Sequence, residues 1–108
     1  MPILERHVHD VRNLAAFWNR ERQFQEAEDR LGGFPPKRYY YLLSGRDTTG
    51  TMTHDREWEN FSAMEAAYDR LFQEPGIITL AESSSAVGNT ERTEFYSIET
   101  PPPVEPGV

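Results

Sequence analysis

The sequence has no cysteine in its 108 residues, which excludes disulfides, thiolate nucleophiles and cysteine-ligated zinc or iron–sulfur centres. Positive charge is scarce. Eleven Lys and Arg stand against 18 Asp and Glu, a formal net charge of -7, and such a field repels phosphate backbones. Nucleic acid is therefore not an expected partner. Long apolar runs are missing as well: the opening MPILERHVHD meets charge at Glu5. Neither a signal peptide nor a membrane span is expected, and the expectation is a cytoplasmic protein without membrane contact. No glycine-rich phosphate loop occurs, because Gly32 and Gly33 follow a helical pattern and do not open one. Ser83, Ser84 and Ser85 lack the strand–turn–helix setting of a nucleophile elbow and read as loop. No cofactor is expected.

What is present is organised around Gly50 to Phe72. Residues 50 to 58 alternate like a half-buried strand, and 61 to 72 repeat apolar residues at helical spacing, with Asn60 as the cap between them. Before this unit, Ile3 to Val11 reads as a strand. A helix capped by Asp10 or Asn13 then runs to Leu31, with Phe17, Phe24, Ala27 and Leu31 on one stripe and Leu14 and Trp18 at its edge. Arg20 falls inside that stripe, and snorkelling of its head to water is the commoner outcome, an ion pair with a strand carboxylate the alternative. Gly32, Gly33, Pro35 and Pro36 end the helix. Lys37 to Ser44 reads as a second strand, joined to the third by the polar turn 45–50. Residues 77–89 read as a short helix and loop, 91–99 as a last strand, and the proline-rich 100–108 as a tail outside the single domain 1–99.

The order β-α-β-β-α-β defines the α+β ferredoxin-like class: a four-stranded antiparallel sheet with both helices on one face and strands one and three adjacent in the middle. The second strand carries Tyr39, Tyr41 and Leu43 on one side and Tyr40 and Leu42 on the other, so both sheet faces should be covered. The runs GGFPPKRYYYLLSG and REWENFSAMEAAYDRLFQEP resemble the NIPSNAP-like branch of the dimeric α+β barrel superfamily. The resemblance extends from about Leu4 to Ile98 and is sharpest from Arg56 to Pro75. It implies a homodimer whose sheets pair face to face, and it carries no diagnostic catalytic signature.

On strand three, Met52, His54, Arg56 and Trp58 share one parity, Thr51, Thr53, Asp55 and Glu57 the other. Turning Met52 and Trp58 to the helices sends the polar parity to a cavity between subunits. The same logic on strand one sends Leu4 and Val8 to the helices and Glu5, His7 and His9 to that cavity. The candidate catalytic residues are therefore His7, His9, Asp55 and Glu57, with Glu5, Tyr39, Tyr41 and Thr53 as candidate ligand contacts. His54 points away under this assignment and reads as a satisfied core or rim histidine. Without it, a three-histidine metal centre is not expected. Three functions fit: a small-molecule-binding homodimer for an apolar or aromatic ligand, a cofactor-independent monooxygenase or isomerase as the resemblance implies, and a non-enzymatic dimeric interaction module.

Overall fold

A computed structural model describes residues 1–45, 50–83 and 88–104. The chain runs β1 (Ile3–Val11), α1 (Leu14–Leu31), β2 (Lys37–Tyr41), β3 (Thr51–Trp58), α2 (Phe61–Leu71), α3 (Ile77–Glu82) and β4 (Gly88–Ser97). The strands form one antiparallel sheet in the order β2-β3-β1-β4, with β1 and β3 at its centre. This is the ferredoxin-like α+β layout expected from the pattern of periods. Two boundaries differ by three residues. β2 stops at Tyr41 and not Ser44, and β4 begins at Gly88, three residues earlier than its alternation suggests. A register shift against Val8 and His9 lets β4 continue along β1 past the break in pattern. Residues 46–49, most of the polar turn, and 84–87, the end of the expected loop, lie outside the described residues, as do 105–108. Residues 101–104 are exposed and have neither helix nor strand.

The helices begin where short polar side chains replace missing backbone partners. Asn13 accepts from Ala16 N at 3.0 Å, and Asn60 from Ala63 N at 2.8 Å, each satisfying one of the amides that a helix start leaves free. At the other end of α1, Arg70 of α2 donates to the carbonyls of Leu31 and Gly32 at 3.3 and 3.1 Å. Its guanidinium lies 2.7 Å from where a Cβ on Gly33 would be, at a φ of +84° that already favours glycine. That contact ties the two helices together.

The core lies between helices and sheet in three clusters. Ile3 and Trp58 pack on Met64 and Ala67; Phe17 packs on Met52; Ala27, Leu71 and Ile77 form the third. Ile3 pairs with Trp58, Glu5 with Arg56, His7 with His54 and His9 with Met52, so these residues share the helix-covered face. The helix-facing parity of β3 is as expected; that of β1 is reversed. Glu5, His7 and His9 turn toward the helices, while Leu4, Arg6 and Val8 turn to the outer face beside Thr53, Asp55 and Glu57. No described helix is long and apolar enough to cross a membrane.

Candidate functional site

The reversal of β1 brings all three histidines together under the helices. His54 stacks on His7 with ring centroids 4.4 Å apart and on His9 at 4.9 Å. His9 Nε2 and His54 Nδ1 are hydrogen-bonded at 2.8 Å, and His9 Nδ1 meets the Thr90 hydroxyl at 3.1 Å. Burial pushes the His9 imidazole down to about 4, with the charges of His7, Arg20 and Lys37 acting the same way and Glu21 opposing them. His54 is lowered further, again chiefly by burial. Both rings are therefore neutral at physiological pH. Among the described residues no group of three or more His, Asp or Glu side chains is arranged to hold a metal ion.

His7 is the more accessible ring, and Glu5 orients it. Its Nε2 lies 2.7 Å from Glu5 Oε2; an ionised carboxylate only accepts, so Nε2 carries the proton. In the neutral ring, Nδ1 then accepts from the Thr93 hydroxyl at 3.0 Å. Glu5 also accepts from Trp58 Nε1 at 2.8 Å and Tyr68 OH at 2.7 Å. Burial would raise the Glu5 carboxyl, but these bonds and the charge of His7 outweigh it and hold it below its ordinary value. Burial and the neighbouring carboxylate push the Tyr68 phenol up in turn.

A cavity of about 460 Å³ opens over this floor. Glu5, His7, His9 and His54 form its polar base, and Phe24, Met64, Leu71, Phe72 and Phe95 supply apolar wall from α1, α2 and β4. Phe95 is held edge-on to Phe61 at 5.5 Å, which fixes the β4 side of the wall. Deeper in lies a buried ion network: Arg56 bonds Glu28, and Lys37 Nζ lies 3.2 Å from Glu28 and 3.6 Å from Glu21. Tyr39 OH donates to Glu21 at 2.8 Å.

The candidates separate accordingly. Glu5, His7 and His9 line the cavity, and Tyr39 braces its far end through Glu21. Thr53, Asp55 and Glu57 lie on the outer face of the sheet, where their parity on β3 predicts them; it is Glu5, His7 and His9 that are corrected to the helix-covered side, so the two sets do not share one cavity. Asp55 is engaged on the outer face by Arg6 at 2.9 and 2.8 Å, and Asp55 and Glu57 border a separate hollow with Leu4, Pro36 and Tyr40. They cannot orient His7 or His9 through the sheet. Tyr41, opposite Met52 on the edge strand, is half exposed and does not reach the cavity. His54 is buried and hydrogen-bonded on the helix-covered face that its parity predicts; what differs is that His7 and His9 join it there and make it the centre of the histidine stack. Arg20 is corrected too: it is 7 % exposed and does not snorkel, because its position on α1 faces the cavity.

Glu21, Glu28, Lys37 and Tyr68 were not singled out from the sequence. The signal existed for two of them. Glu21 and Glu28 lie four and eleven residues after Phe17, on its stripe, where a buried charge demands a partner.

Fold and site together define a ferredoxin-like α+β protein with a histidine-floored cavity between sheet and helices. No protein-family model and no curated protein matches the chain. Solved structures do. A cofactor-independent oxygenase, SnoaB from Streptomyces nogalater, is 17% identical, with 95% of this chain and 98% of that one covered at a TM-score of 0.63. A NIPSNAP family protein from Agrobacterium tumefaciens is 15% identical over 100% of both chains at 0.63, and a NIPSNAP-like domain protein from Burkholderia xenovorans 16% identical over 97% and 92% at 0.53. The fold is thus shared with NIPSNAP-family proteins, in support of the resemblance read from the sequence.

Proposed function

We propose that the protein binds a small, largely apolar molecule in the cavity between sheet and helices, with the polar end of the ligand on His7. The observation that carries this reading is the cavity itself: aromatic and aliphatic walls converging on a few oriented polar groups, as ligand sites are built. The probe for the test is 2-naphthol, whose rings fit well within the volume and whose hydroxyl suits His7. Its fluorescence should saturate with the wild-type protein. Thr93→Trp, a substitution at an exposed rim position, should abolish the response without unfolding the chain. Saturation unaffected by Thr93→Trp would place the probe elsewhere and sink the reading.

A second reading, acid–base catalysis of the kind a cofactor-independent oxygenase requires, is favoured by one feature. The Glu5–His7 pair has the geometry of a base held by a carboxylate, leaving Nδ1 to take a ligand proton once Thr93 yields. Bound 2-naphthol should then show the naphtholate absorption band at lower pH than free naphthol does, and His7→Gln should remove that band. A band unchanged in His7→Gln would exclude His7 as the base.

The assembly belongs to the same proposal. Tyr40 and Tyr96 stand 49% and 42% exposed on the outer sheet face, and a second copy of the chain pairing its sheet there would cover them. A dimer serving only as an interaction module would need no open cavity, so the cavity favours ligand binding over that alternative.

A further inference from the structure

Among the described residues three cations are buried beside the cavity, and two have carboxylate partners. Arg56 bonds Glu28, and Lys37 lies between Glu21 and Glu28. Arg20 does not. It is 93% inaccessible by its 7 % exposure, its Nε has no hydrogen-bond partner, and among the described residues no carboxylate forms an ion pair with it. Its guanidinium carbon lies 5.8 Å from the centre of the Phe17 ring. A buried guanidinium is costly unless paired, and this one lines the cavity. The two nearby carboxylates are already engaged by Lys37, Arg56 and Tyr39. Phe17 in turn lies edge-on to His9 with ring centroids 5.3 Å apart, which places Arg20 toward the histidine end of the floor.

We infer that Arg20 is the anchor for an anionic group on the ligand, so that the cavity takes a small apolar molecule bearing a carboxylate or an equivalent planar oxyanion. The inference rests on the cavity being a ligand site and adds the charge of what enters it. A carboxylate matches the guanidinium fork in two parallel bonds, which a neutral amide cannot do. The apolar walls then hold the remainder of the molecule. A partner's surface carboxylate is a poorer fit, since the guanidinium is buried and lines the cavity.

The test compares 2-naphthoate with 2-naphthamide, two probes of one shape that differ in charge, by calorimetry on the wild-type protein, Arg20→Gln and Arg20→Lys. Naphthoate should bind the wild type about tenfold or more tightly than naphthamide, as a charge-assisted contact warrants. Arg20→Gln should erase that preference by weakening naphthoate far more than naphthamide, and Arg20→Lys should retain part of it. In the wild type, naphthoate but not naphthamide should shift the Arg20 Nε–H resonance, a readout that requires no variant to fold. Equal binding of the two probes, or a preference that survives Arg20→Gln, would overturn the anionic anchor and leave the cavity reading standing. Failure of both probes to bind the wild type would overturn both.

Discussion

Glu5 is a carboxylate inside a hydrophobic layer that persists because every neighbour donates to it. Trp58, Tyr68 and His7 offset a desolvation that would otherwise expel the charge. Glu5→Gln keeps the shape but brings an amide that donates where an acceptor is needed, and it should cost about 1–3 kcal/mol in urea unfolding. The histidines set the response to acid. His9 is at about 4 in the folded protein against 6.5 as a free side chain, so the unfolded chain binds more protons between those values. Stability present above pH 6.5 is therefore lost as pH falls toward 4, by on the order of 3 kcal/mol for His9. His54, lowered in the same sense, adds to this loss. Glu5, with a depressed carboxyl, adds a further loss as pH falls through its folded value. The urea midpoint should hold steady above about pH 6.5 and decline below it, and His9→Gln should flatten the decline. A midpoint unchanged down to pH 5 would mean that these rings are not buried neutral.

At the scale of elements, the sequence was most legible where a single period dominates. α2 and its Asn60 cap follow from the spacing of Met64, Ala67 and Leu71, and removing the cap should show its worth: Asn60→Ala should cost about 1 kcal/mol, read as a lower urea midpoint with an unchanged slope. β1 was legible as a strand but not in its orientation. Ile3 and Leu4 are equally apolar, and Glu5, His7 and His9 look like a wet face. Only the pairing of Ile3 with Trp58 shows that they are the covered one, and register between strands distant in sequence is not written in either strand alone. The buried face tolerates those residues because Trp58 and Tyr68, one on β3 and one on α2, reach Glu5. That is a three-element contact no periodicity reports. The separation of Glu5, His7 and His9 from Asp55, Glu57 and Thr53 follows from that single inversion of β1.

For the whole molecule, the account joins two faces of one sheet. The inner face carries the cavity, and the outer face carries Tyr40, Tyr96 and the Arg6–Asp55 pair. Pairing of outer faces predicts a dimer by light scattering at micromolar concentration, and Tyr96→Glu, which adds charge to that face, should shift it toward monomer with its helical signal intact. A wild-type monomer would contradict the pairing and leave the cavity untouched. The central claim concerns the inner face and has a direct measurement: isotope-filtered nuclear Overhauser spectra of the labelled protein saturated with 2-naphthol. The account predicts cross-peaks from the ligand to Met64, Phe95 and the His7 ring; cross-peaks confined to Tyr40 and Tyr96, or none to the protein, would contradict it.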